Sequence, residues 1–354
     1  MNKRLLLAAL ALLSTANLAS ASEVDPDHFW LGILRKDGVL TPFAFYDKGN
    51  WSTPWPAYLE VGESGQTKDT SKISLPAFEV SNDYRLSPKT ASLDALPAAW
   101  TGGIPGMPTR WYLWPREGHQ QLIEVTKATQ YESHCVYNWG LLADYPDAET
   151  ARPNHWPRPK AGIVSSTRLE VSPMVKADIA SEESRQTLSL IRMTFHKLEA
   201  KRISNIQSKG YVGSHLKYTG HPVSEQERDK SEFLVERIVK NATPMNGRTI
   251  YYVEMRRHYR KPEHFSDQSC DGITWFTGWL LKDNGRFSIL NTRASLTDCD
   301  MKGADSADPD HMISVGANDY VVSVNYGYES EYYTVGQITN AGLRQLVSRS
   351  GGGC

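Results

Sequence analysis

The densest group of chemically capable side chains lies in the run from Asp298 to Asp310, which carries Asp298, Asp300, Asp305, Asp308 and Asp310 around Gly303. Calcium takes six to eight oxygen ligands, and a loop of alternating aspartates with a nearby glycine can wrap such an ion. These five aspartates are therefore the calcium candidates of the chain, and no other cofactor is indicated. The run lacks the glycine and glutamate positions of an EF-hand. The competing reading is a solvated acidic loop whose aspartates cap turns.

A second constellation is Tyr326-Gly-Tyr-Glu-Ser-Glu-Tyr-Tyr333, with Glu329 and Glu331 two residues apart. On a strand they share one face, about 6.5–7 Å apart. Carboxylate pairs at roughly 5–9.5 Å hydrolyse glycosidic bonds, so Glu329 and Glu331 are the catalytic candidates. Ordinary strand alternation, with a polar face opposite a buried aromatic one, explains the same pattern.

Other motifs carry less. His134 adjoins Cys135, but strand neighbours point to opposite faces and share no proton. The pairs His215/His221 and His258/His264 lack a metalloprotease helix pattern. Ser214-His-Leu-Lys217 lacks a later Lys-Thr-Gly. Gly102 to Gly106 contains Pro105, which removes an amide donor that a phosphate cradle needs.

The N-terminus combines Lys3 and Arg4, an apolar run from Leu5 to Leu13, and Ala19-Ser-Ala21. This is the pattern of a signal peptide over residues 1–21. The apolar run is too short to span a bilayer, which needs about 20 residues. The expectation is an exported protein, periplasmic or extracellular, without a membrane span. An oxidising compartment makes Cys135, Cys270, Cys299 and Cys354 disulfide candidates. Cys270 and Cys299 flank one hairpin and are paired on that ground, which leaves Cys135 for Cys354.

These groups must be positioned by strands. The 354 residues carry 40% hydrophobic and 22% charged side chains, enough for a packed core. A net charge of −1 lacks the basic surplus of a nucleic-acid binder. Short alternating runs separated by turns predict antiparallel hairpins: Trp30–Lys36 with Val39–Tyr46 across Asp37-Gly38, Phe233–Lys240 with Arg248–Tyr259, Trp279–Lys282 with Arg286–Leu290, and Tyr320–Asn325 with Glu331–Gln337. Leu188, Ile191, Phe195 and Leu198 predict a helix over 182–203, and Asn340–Ser348 reads as a second, short helix. The Trp-Pro pairs at 55–56, 114–115 and 156–157 mark strand ends.

The expected fold is mainly β, propeller-like first, with a two-part β-sandwich or α+β arrangement as the alternative. Residues 22–354 form a single large β-rich domain, with 146–160 as the place for any subdivision. Two functions compete. One is a non-enzymatic β scaffold binding a ligand, glycan or protein partner. The other is an exported carboxylate-dependent hydrolase acting on a glycan or related polymer.

Overall fold

The computed structural model describes residues 26–353 apart from 57, 62–66, 69–89, 105, 134–135, 147–158, 210–221, 223, 260–271, 298–302, 305 and 328–329; at 58–61, 67–68, 132–133, 136–137 and 353 only the backbone is described. The fold is mainly β: antiparallel hairpins in two large sheets, with one long helix.

The first sheet contains β1 (His28–Arg35), β2 (Val39–Asp47), β3 (Asn50–Ser52), β4 (Tyr58–Val61), β5 (Thr67–Lys68), β6 (Thr90–Ala91), β7 (Arg110–Pro115), β8 (Gln121–Ser133), β9 (Val136–Asp144) and β10 (Lys160–Ser165). Strands β2-β1-β10-β7-β8-β9 follow one another, and β9 pairs back onto β2 through Leu142–Val39 and Leu141–Leu40. The ring is a closed six-stranded barrel, which leaves no free edge along it. Strand β10 follows the stretch 146–160 and sits between β1 and β7. The chain therefore completes this barrel only at Ser165.

Alternation along β1 explains how the barrel is used on both faces. Trp30 and Leu34 enter its interior with Trp55, Trp100, Trp111 and Trp139. Phe29, Leu31 and Ile33 point outward, yet they are equally buried, because they pack on the second sheet.

The second sheet contains β11 (Glu170–Lys176), β12 (Leu234–Asn241), β13 (Arg248–Tyr259), β14 (Gly272–Asp283), β15 (Arg286–Thr297), β16 (Ser306–Val315), β17 (Asn318–Gly327), β18 (Ser330–Thr339) and β19 (Gly342–Gly353). Its order is β15-β14-β13-β12-β11-β16-β17-β18-β19. Strand β11 is the corner: Glu170 to Pro173 pair with β16, and Met174 to Lys176 pair with β12. The sheet curls there until its two end strands meet. A Cβ on Gly342 of β19 would lie 2.7 Å from the Leu290 carbonyl of β15, so only glycine permits that approach. Met174, Ile250, Leu281, Met312 and Ile338 fill one end of the curl.

Helix α1 (Glu182–Ser208) covers the outside of β14 and β15, reaching β13, and runs a little beyond the expected 182–203. Ser181 caps it by accepting the Ser184 amide at 3.2 Å. Leu188, Ile191 and Phe195 pack on Tyr251, Val253 and Phe276. The helix sits close because Gly278 leaves room: a Cβ there would be 2.1 Å from Ile191 Cδ1. A short helix α2 (Glu225–Arg228) lies beside it, with Glu225 bonded to His196 of α1 at 2.7 Å.

Two expectations are corrected. The propeller gives way to two large curled sheets, because β2 and β9 close a ring instead of ending a blade. The second helix is strand β19. Its pairing with β18 skips Leu346, which is bulged between Gln345 and Val347. The bulge puts Leu346 and Val347 on the same core and leaves Leu343 on another. That break in alternation mimics helical spacing.

Candidate functional site

The open end of the curled second sheet forms a concavity. Its volume is about 460 Å³, within the roughly 300–1,000 Å³ of small-molecule sites. Alternation places its walls. On β17, Val321, Ser323 and Asn325 face the cavity, while Tyr320, Val322 and Val324 pack toward the first barrel. On β18, Tyr332, Thr334 and Gly336 face in, while Tyr333 and Val335 face away. Trp279 and Tyr252 form the deep aromatic wall, with ring centroids 4.7 Å apart.

The wall needs reinforcement where β11 ends. Beyond Lys176 no ladder joins β12 to β16 among the described residues. Arg237 of β12 spans the gap. It donates to Glu254 from Nε at 2.7 Å and from Nη2 at 3.0 Å, to Asp308 at 3.2 Å, and to the Ala307 carbonyl. Burial alone would depress the guanidinium, but the bonds to Glu254 and its charge outweigh this and hold Arg237 above its ordinary value. Glu254 also accepts from the Tyr252 hydroxyl at 2.6 Å and from Ser306 at 2.8 Å. Burial, followed by the Glu254 charge, pushes the Tyr252 phenol well above its usual range. This carboxylate is fully engaged in holding the wall.

The acidic run is split by the structure. Asp298, Asp300 and Asp305 lie outside the described residues. Asp308 and Asp310 both bind Arg116, which follows β7 of the first barrel; the Asp308 bond is 2.5 Å. Asp310 also meets His311 Nδ1 at 3.1 Å. These two aspartates thus form an ionic seam between the sheets.

Glu329 also lies outside the described residues, as do Cys135, Cys270, Cys299 and Cys354. Glu331 points away from the cavity, into the junction with the first barrel. It accepts from Tyr333 at 2.5 Å and from Lys160 at 3.1 Å. Burial and the Glu331 charge raise the Tyr333 phenol well above its usual range. Nearby, burial lowers the Arg349 guanidinium to about 10, and it donates to the Trp55 carbonyl.

Sequence reasoning missed the cavity residues. Their signal was present as Ser323, Asn325, Tyr332 and Thr334 at alternate positions of β17 and β18, a pattern that equally describes a face open to solvent. No protein-family model matches the chain, and neither curated proteins nor solved structures give a match.

Proposed function

We propose that this is an exported, non-enzymatic binding protein whose ligand enters the open end of the curled second sheet. The observation that carries this reading is the lining. Among the described residues the lining contains no carboxylate, and its Asn291, Gln345 and Ser348 side chains make no hydrogen bond to another described residue. A carboxylate-dependent hydrolase needs two acidic groups facing one substrate. Glu254 is consumed by Arg237, Tyr252 and Ser306, and Glu331 faces the opposite side of β18. Both facts favour binding over hydrolysis.

The test is a fragment screen by ligand-observed NMR on the mature chain and on Gln345→Trp, which fills the cavity from an exposed wall position. Hits lost in the filled variant are expected. Identical hits in both proteins, or none in either, defeat the reading.

Export also implies the disulfides Cys270–Cys299 and Cys135–Cys354. Pairing of Ile273 with Thr297 supports the first, because the chain leaves these residues toward the two cysteines. The Asn138 amide donates to the Gly351 carbonyl at 3.2 Å, three positions from Cys135 and from Cys354, and supports the second. Non-reducing peptide mapping that links other pairs would overturn them.

A further inference from the structure

The chemistry of the wall narrows the ligand class. Arg293 is the one charged residue among the described lining, and it already has a partner within the protein. A cation entering the cavity meets no counter-ion, and an unpaired buried charge is costly. Asn291 on β15, paired with the cavity-lining Trp279, lies across the gap between the end strands from Gln345 and Ser348 on β19. None of these three side chains makes a hydrogen bond among the described residues. Amides and hydroxyls both donate and accept. A partner that satisfies all three must do the same along its length. An aliphatic chain cannot, and would leave them desolvated and unpaired. Aromatic faces complete the site: Tyr332 at the mouth, 42% exposed, and Trp279 at depth. Such rings offer an apolar face to a ligand that is polar at its rim and C–H-lined above and below.

We propose that the cavity binds an uncharged saccharide of one to three units, held by Asn291, Gln345 and Ser348 and stacked on Tyr332 or Trp279. This deepens the binding reading above and rests on it. The ligand lies between β15 and β19, bridging end strands that no ladder joins.

Saturation-transfer NMR of the mature chain tests this with cellobiose, maltose, lactose and N,N′-diacetylchitobiose. A disaccharide containing a uronic acid supplies the anionic arm, and laurate the aliphatic one. Asn291→Ala, Gln345→Ala and Tyr332→Ala are measured alongside, with circular dichroism to confirm folding. The expected result is binding of at least one neutral disaccharide, weakened about tenfold by each substitution, which corresponds to about 1.4 kcal/mol. Binding only of the uronate or of laurate, lost in the same variants, overturns the saccharide assignment and leaves the cavity as a binding site. A neutral sugar that binds all three variants like the wild type sits elsewhere and overturns the saccharide assignment. If no neutral sugar binds, the saccharide assignment falls, and the fragment screen with Gln345→Trp decides the cavity independently.

Discussion

In the first barrel, the inward positions of β1, β7 and β9 carry Trp30, Trp111 and Trp139. In the second sheet, the inward positions of β17, β18 and β19 carry Ser323, Thr334 and Gln345. Both are antiparallel hairpins curled around an axis. Barrel diameter grows with strand number, and small barrels are filled by side chains whereas wider ones enclose space. Six closed strands leave a narrow bore packed by tryptophans together with Leu34, Leu40 and Leu113: Trp55 donates to the Trp139 carbonyl at 2.8 Å, and its ring meets Trp100 edge-on at 5.5 Å. Nine strands make a wider curl, and only one end of it is packed with apolar side chains. Stability is thus concentrated in the closed barrel, and adaptable surface in the open one.

The largest expected effect comes from breaking that contrast at Trp139. Truncation to alanine opens a cavity in a region with little freedom to collapse, at about 4 kcal/mol. Gln345→Ala, on the cavity wall of the other sheet, should stay within about 0.5 kcal/mol, as exposed positions generally do. Urea unfolding of the two variants measures both. A cost below about 1.5 kcal/mol at Trp139 would show that the barrel interior relaxes, and the distinction between solid and hollow sheets would lose its energetic basis.

A smaller loss is expected at the wall of the hollow sheet. Arg237→Ala leaves Glu254 buried with Tyr252 and Ser306 as its remaining donors. Removing one partner of a buried ion pair costs roughly 3 kcal/mol. The double variant Arg237→Met/Glu254→Leu removes the orphaned charge and should recover most of that loss. If the double variant is no more stable than Arg237→Ala, the bridge to Ala307 and Asp308 is what holds β12 to β16, and not compensation of Glu254.

Hairpins were legible because their signals are local. Asn284 and Gly285 carry the positive φ values of 49° and 80° that the turn between β14 and β15 requires, and both residues are plain in the sequence. Helix α1 was legible from the spacing of Leu188, Ile191 and Phe195. Closure was not, since the pairing of Val39 with Leu142 spans a hundred residues and leaves no local trace. Nor was the site. Glu331 resembled a catalytic carboxylate by its distance from Glu329, but which face of β18 is wet depends on the first barrel covering Tyr333 and Val335. Only once that face is buried does the polar alternation of β17 and β18 mark a cavity instead of the outside of the protein.

The smallest effect concerns the seam that joins the two sheets. Asp310 is buried, which alone would raise its carboxyl; His311 and Arg116 overcome this and bring it down to about 2. An unfolded aspartate titrates near about 3.9. Because the folded value is the lower one, the unfolded chain takes up the proton first as pH falls. The stabilisation is therefore complete above about pH 4 and is lost between about pH 4 and pH 2. Its size is roughly 2–3 kcal/mol. Asp310→Asn should lose about that much at neutral pH and approach the wild type below pH 2, so the difference in unfolding free energy between the two should shrink across that window. A difference that stays constant from pH 6 to pH 2 would mean that Asp310 serves through packing and neutral hydrogen bonds. The closed and open sheets would then be joined by their shared apolar face, Phe29, Leu31 and Ile33 against Val322, Val324 and Val335, and by the pairs Lys160–Glu331 and Arg116–Asp308, with no electrostatic contribution from Asp310.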